Sequence, residues 1–582
     1  MVEESRTKAD MTMTVKVEAE TVAQAYLELL SLRGIDYFFA NAGTDLISIV
    51  DAFACRRAQG KHSPRPLTIP HEIPLVSMAH GYYLITGKPQ VAMVHVGVGT
   101  ANGLGGLMNA YRSRVPILFS AGCSPATEEG SPVSRAPFSQ WGQECFDQAG
   151  MVREYVKWDY ELRTPSQLET VVDRALAIAL TEPRGPVYLV LPPEVLVSPV
   201  KEMEFQAQPR YDLPTFHPDP AKLQEAADIL AEAEFPLIIT SSIGRSPAAV
   251  HALKDLAEAG TIGVVSFNSE YMNFPTDHYC YQGLSPDPYL PKADVVLVVD
   301  CDVPWYPRMT KPPASAVIMQ VGIDPLYSSY PIRGFPSDLT LQGDLALVLS
   351  GITGILAHHP AKDKEVIKKR RIKLQEMHDH ILKGWEEAWR KAANDTPLDF
   401  HWVSHNVSKI LDENTVVVNE YDNGMHQQLY QRPGSFFSAP RASYLGWGVG
   451  TALGMKLALT DEMVIATVGD GSYIFSVPSA CHSVSSTYNL PILTIVYNNQ
   501  CWNAVKGATR ALHPDGWAAR TNHFPLSELQ PVAHYEKICE AFGGYGEMVT
   551  APDEVGPALE RALYAVKHEK RQALLNMICK HP

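Results

Sequence analysis

Between Val464 and Asn499 the chain reads VIATVGDGSYIFSVPSACHSVSSTYNLPILTIVYNN, and this stretch constrains the fold more than any other. An apolar run, Val464 to Val468, stops at Gly469-Asp470-Gly471, and a second, Leu490 to Tyr497, stops at Asn498-Asn499. Each run has the length and composition of a buried strand, and the residues between them can form a helix, so the segment predicts a βαβ unit. Both strand ends then emerge at the same edge of a parallel sheet, the edge where open α/β sheets bind ligands. A carboxylate and an amide meet there, and both offer the hard oxygens that suit Mg2+ (or Ca2+) holding a diphosphate. Gly469, Gly471 and the small Ser472 let backbone approach phosphate oxygens closely. Taken singly, a GDG tripeptide is an ordinary turn; two matched strands with NN closing the second point to a metal–diphosphate site.

The chain has 582 residues, too many for one core, and 46% hydrophobic with 19% charged residues is ordinary globular composition. A net charge of -15 argues against a nucleic-acid surface, which needs clustered Lys and Arg. The nine cysteines form no CxxC pair and no zinc spacing, so they read as reduced, mostly buried residues. No apolar run reaches the roughly 18 residues that span a bilayer. The N-terminus is polar and carries acids, unlike a secretory or transit signal. A cytoplasmic protein is the expectation.

Helical periodicity and apolar strands alternate through three stretches, which predicts three tandem α/β domains with mainly parallel sheets. Residues 1–13 read as a disordered lead and 14–195 as the first domain. A Pro-rich linker, 196–221, follows, then a central domain, 222–355, a helical linker, 356–395, and a last domain, 396–582.

The Asp470–Asn499 segment resembles the thiamine diphosphate motif of the pyruvate decarboxylase, acetolactate synthase and benzoylformate decarboxylase superfamily, which begins GDG and closes with NN. By that resemblance Asp470, Asn499 and the backbone carbonyl of Cys501 bind the metal, and the three domains are pyrimidine-binding, central and diphosphate-binding. In Ile69-Pro70-His71-Glu72-Ile73, Glu72 by itself is an acid at a helix N-terminus, favoured by the macrodipole. The resemblance makes it the carboxylate that hydrogen-bonds N1′ of the cofactor's aminopyrimidine, so that the ring can take the proton from C2.

His95 ends an apolar strand ahead of the Gly-rich stretch Val96–Gly103, read as a loop that approaches the cofactor. The 23-residue step from Glu72 to His95 resembles the step between Glu and an active-site His in benzoylformate decarboxylase. Phe274-Pro275-Thr276-Asp277-His278 resembles that enzyme's Phe-Pro-Thr-x-His. The resemblance thus implies two acid–base catalysts, His95 and His278, titrating near neutrality. Thr44 matches a serine that contacts substrate carboxylate; a helix N-cap is the alternative. Leu445 matches the apolar residue that props the cofactor's V shape, Asn423 a diphosphate contact, and Ala504 and Val505 the substrate pocket. Asp422 departs from the family, since a carboxylate beside phosphate is repulsive.

The expected function is cleavage or formation of a C–C bond on a 2-oxo acid: decarboxylation to an aldehyde, carboligation, or both. An acetolactate synthase-like carboligase, or a lyase or decarboxylase acting on a CoA thioester, is the alternative. Residues 236–350 carry no decisive FAD signal, so FAD is admitted but unsupported. The superfamily implies a homodimer or homotetramer with each site shared between chains, a small-molecule substrate, and neither nucleic acid nor membrane as partner.

Overall fold

Three sheets of parallel strands account for the alternating pattern of the sequence. The computed structural model describes residues 13–200, 203–360, 364–421 and 423–581; most of the expected N-terminal lead, and Asp422, lie outside them. The first sheet contains Tyr37–Ala40, Arg65–Thr68, Val91–Val94, Leu118–Ala121, Asp159–Glu161 and Val187–Val190. The last contains Thr415–Glu420, Phe436–Ser438, Met463–Gly469, Leu493–Asn498, Tyr545–Val549 and Ala573–Ile578. Numbered along the chain, the strands of both sheets lie in the same order, 2-1-3-4-6-5, all parallel. The chain reverses its winding between strands 1 and 3, so each sheet has a switch-point crevice at the carboxyl ends of that pair. In the first sheet those ends lead into Asn41 and His95; in the last they lead into Tyr421 and Asp470. The central five-stranded sheet, from Pro236–Thr240 to Leu339–Gln342, is also parallel, in the order 2-1-3-4-5.

Three local expectations change. Val96–Gly103 is not a loop but the start of the helix Val96–Arg112. Its glycines serve packing: a Cβ at Gly99 would lie 2.9 Å from Val94 and 3.2 Å from a Glu72 carboxylate oxygen. The helix expected between the last domain's GDG and NN is two helices, Asp470–Phe475 and Pro478–Tyr488, because Pro478 cannot continue the first. The Pro-rich linker contains a strand, Glu204–Gln206, paired antiparallel with Thr14–Lys16. Among the described residues, no helix is long and apolar enough to cross a membrane.

First and last domains join through two buried helices, Glu72–Thr86 and Trp447–Ala458. They approach almost backbone to backbone: a Cβ at Gly81 would lie 2.1 Å from the Thr451 carbonyl oxygen, and one at Gly454 2.0 Å from that of Met78. Ser77, Thr451 and Gly450 complete the small-residue seam, with Thr451 Oγ1 donating to the Ser77 carbonyl at 3.2 Å. Backbone on one side cannot rotate away as a side chain can, so Gly81→Ala must push the helices apart. The expected destabilisation is about 1–3 kcal/mol, read from the urea unfolding midpoint, with activity falling in step because this seam sets the attitude of Glu72.

Candidate active site

Glu72 is the first residue of its helix, behind an N-cap formed by His71, whose ring nitrogen accepts from the Ile73 N–H. Though buried, its carboxylate pairs with no cation among the described residues. Two amides hold it instead: Asn41 Nδ2 donates to one oxygen at 2.8 Å, and Asn102 Nδ2 to the other. These amides come from the strand-1 loop and from the helix Val96–Arg112, so the switch point itself fixes the carboxylate's plane. Each oxygen retains a lone pair for a further donor. Around it opens a cleft of about 660 Å³ lined by Asn41, Ala42, Glu72, His95, Val98, Gly99, Ala101 and Asn102. Every lining residue belongs to the first domain.

His95 borders this cleft. Its Nδ1 lies 2.5 Å from Asp45 Oδ1, and its Nε2 lies 3.3 Å from the Gln143 amide nitrogen. The hydrogen bond to Asp45 holds the imidazole above its usual pKa range, against the opposing effect of burial. Thr44 is exposed at the start of a short 3-10 turn; Gly43 occupies the N-cap, so the capping alternative does not apply. Thr44 and His95 both line a smaller cavity of about 230 Å³ behind the turn.

His278 is not brought to this cleft. Its Nε2 pairs with Glu258 at 2.9 Å and its Nδ1 accepts from the Cys280 N–H at 3.2 Å. Both ring nitrogens are therefore engaged within the central domain. The neighbouring Thr276 and Asp277 bond Gln428, Tyr430 and Gln431, which places the segment beside the last domain.

At the last domain's switch point, Asp470 opens the helix Asp470–Phe475 and is buried. Gly471 N donates to Oδ1 at 2.9 Å and Gln500 N to Oδ2 at 2.7 Å, so the two strand ends meet as expected. Burial pushes the carboxyl up to about 6, the backbone donors offsetting this only in part. Asn499 Oδ1 accepts from Cys501 N at 3.1 Å, and the Cys501 carbonyl from Asn503 N at 3.0 Å. No group of three or more His, Cys, Asp or Glu suited to a metal occurs among the described residues; the donors gathered here are one acid, one amide and one carbonyl. Asn423 Nδ2, also at this edge, is buried with no partner among the described residues, an orphaned donor of the kind a phosphate oxygen would satisfy. Leu445 is half-buried just before Gly446, the N-cap of Trp447–Ala458. Ala504 and Val505 are exposed on the helix Asn503–Leu512.

Sequence reasoning missed Asn41 and Asn102 as carboxylate anchors, Asp45 and Gln143 on His95, and Glu420. The buried Glu420 accepts from the N–H groups of Gly446, Trp447 and Gly448 at 2.8, 3.3 and 2.7 Å, capping that helix. Burial raises its carboxyl to about 7 against those donors. The one available signal was position: Asn41 follows and Glu420 ends a strand at a switch point, whereas Asn102, two turns into the helix Val96–Arg112, carried none.

Comparison with known proteins identifies the two end domains. Residues 20–151 match the thiamine pyrophosphate enzyme N-terminal TPP binding domain, and residues 422–577 the C-terminal TPP binding domain. Benzoylformate decarboxylase of Pseudomonas aeruginosa is 25% identical over 94% of this chain and 97% of its own length. Acetolactate synthase isozyme 3 large subunit of Escherichia coli is 23% identical over 95% and 93%. Among solved structures, benzoylformate decarboxylase from Polynucleobacter necessarius shares the fold at a TM-score of 0.78 and 19% identity, over 97% of this chain and 99% of that one. With the two cofactor-binding domains of one family at its ends and that family's fold between them, this chain belongs to the thiamine pyrophosphate enzymes.

Proposed function

We propose that this enzyme decarboxylates a 2-oxo acid, the first domain (14–195) holding the pyrimidine half of the cofactor and the last (396–582) the diphosphate half. The observation that carries the reading is the matched pair of switch points, one presenting Glu72 and His95, the other Asp470 and Asn499. When bound, thiamine diphosphate supplies the carbon nucleophile that attacks the ketone and accepts the electron pair left by CO2. Glu72, held in plane by Asn41 and Asn102, would hydrogen-bond the pyrimidine ring and move a proton through it. Asp470, Asn499 and the Cys501 carbonyl would hold Mg2+, which offsets the desolvation of the Asp470 carboxylate. Gly469, Gly471, Ser472 and Asn423 would receive the diphosphate, and Leu445 would support the cofactor between its halves. His95 would deliver and remove protons at the reacting carbon, with Thr44 beside it for the substrate carboxylate, and Ala504 and Val505 would line the pocket. His278, paired with Glu258 and the Cys280 N–H in its own loop, has no assigned role in this chain's cleft.

The cleft at Glu72 contains nothing from the last domain, which supports a site completed by a second copy of the chain. Phe138, Trp141 and Phe146, exposed on the segment after the first sheet's fourth strand, are surface that such a copy would cover. FAD gains no support: at the carboxyl edge of the central sheet Asp300 lies between Arg114 and Arg245, both at 3.4 Å, and Arg441 between Glu270 and Asp302, so these charges are paired with one another.

Purified protein with thiamine diphosphate and Mg2+ is expected to release CO2 from benzoylformate or pyruvate without added FAD. Release of CO2 from neither, with turnover of a 2-hydroxyacyl-CoA instead, would overturn the reading. His95→Ala is expected to lower the rate by about 10²–10⁴; His278→Ala, whose ring one chain holds away from the Glu72 cleft, is expected to cost less than about threefold, and a loss of about 10² or more would restore its acid–base role.

A further inference from the structure

The sequence placed His95 in the site but gave no reason why one of its nitrogens should be available. The structure supplies one. Asp45 is buried in the turn after the first strand, and the three donors that meet its carboxylate converge at one point of the fold. One oxygen meets His95 Nδ1 at 2.5 Å; the other accepts from Val96 N at 3.2 Å and Gly122 N at 3.0 Å. Those donors belong to the ends of the first sheet's third and fourth strands. The carboxylate therefore ties three loops together, and its rotation is fixed from both sides. No Lys or Arg pairs with it among the described residues. Gly43 leaves the room: a Cβ there would lie 2.0 Å from His95 Nδ1. On the opposite side of the ring, the Gln143 amide meets Nε2.

We propose that Asp45 is the positioning residue of this active site, fixing the His95 tautomer so that Nδ1 carries a hydrogen to Asp45 and Nε2 alone exchanges protons with the reacting groups. The proposal rests on the reading of His95 as the acid–base group. A carboxylate only accepts, so the ring nitrogen facing it must be N–H. Neutral His95 then presents a lone pair at Nε2, and protonated His95 presents an N–H at the same atom. Gln143 donates to that lone pair when no substrate is present and is the group a substrate oxygen must displace or share. The other ionisable groups around the ring agree. Glu72 across the cleft also favours the charged ring. Cys123, next to Gly122, is a thiol pushed up to about 12 by burial and adds no charge near neutrality.

Asp45→Asn keeps the shape and both backbone contacts through its oxygen, but its NH2 then faces Nδ1. The ring must take the opposite tautomer, with Nε2 as donor and no base in the cleft. The test uses the full-length protein with histidine labelled at ¹³Cε1, the His95 signal being assigned by its loss in His95→Gln. In the apo protein, the proton affinity of His95 is expected to fall at least tenfold in Asp45→Asn. In protein loaded with thiamine diphosphate and Mg2+, kcat for benzoylformate or pyruvate is expected to fall by about 10²-fold or more while KM changes little. Asp45→Ser, smaller than the native residue, gives the same drop in affinity if the amide disturbs the turn. An unchanged His95 titration in both variants, with native melting, would overturn the proposal. If instead His95→Gln retains full turnover, the acid–base reading of His95 fails, and the titration still reports whether Asp45 sets the ring's proton.

Discussion

Glu72→Gln is expected to fold, to bind thiamine diphosphate with Mg2+, and to lose turnover by about 10²–10⁴ or more. The change alters one atom, but the surroundings are specific for a carboxylate. Asn41 and Asn102 each donate an amide N–H, one to each oxygen. A glutamine presents one oxygen and one NH2, so one of these amides must face another donor, and the side chain rotates or the contact breaks. The glutamine NH2 can donate a hydrogen bond to a pyrimidine nitrogen but is far too weak an acid to transfer a proton to it. Folding is affected far less. Gln loses the favourable interaction of a negative charge with the helix N-terminus, about 0.3–1 kcal/mol, and the desolvation cost of that buried charge disappears with it. The measurement is exchange of the cofactor's C2 proton for deuterium by NMR of the loaded protein, alongside CO2 release. Exchange and turnover near the native rates would remove Glu72 from the chemistry.

The strands and loops at the last domain's switch point were legible because a buried parallel strand is a continuous apolar run that ends in polar or Gly residues. Val464 to Asn499 carries two such runs, and the observed strands Met463–Gly469 and Leu493–Asn498 differ only at their ends. Glu72 was legible through its place before a helix and through the family resemblance. The stretch Val96–Gly103 was misread because Gly is a poor helix former; only the neighbouring strand and Glu72 show why a side chain would not fit. Asp45 was invisible for a different reason. An acid one residue after Thr44 looks like any turn acid, and its significance lies in partners 50 and 77 residues away. His278 marks the converse limit. Its motif matches, but within one chain its ring pairs with Glu258, 20 residues earlier on a helix, and is absent from the lining of the Glu72 cleft. Local pattern thus reports strand ends, while the proton state of a side chain is decided by groups the chain brings from elsewhere.

Glu72→Gln and Asp470→Ala, each inactive alone, are expected to restore activity when the two chains are expressed together. If a site takes Glu72 from one chain and Asp470 from another, a mixed dimer contains one site with both defects and one with neither. Random pairing with two-fold symmetry leaves about a quarter of all sites intact, so the mixture should show roughly that share of native turnover. The structural basis is the Glu72 cleft, lined only by the first domain, while Asp470 stands at the corresponding edge of a separate sheet. Asp470→Ala removes a buried carboxylate that no side-chain cation pairs with among the described residues, so the apo chain should melt close to the native temperature. Thiamine diphosphate with Mg2+ should no longer raise it, since the stabilisation is set by ligand affinity. In the purified mixed dimer, obtained with two different affinity tags, half the native number of sites should bind cofactor productively. Mixed dimers as inactive as either parent would place Glu72 and Asp470 of the same chain in one site.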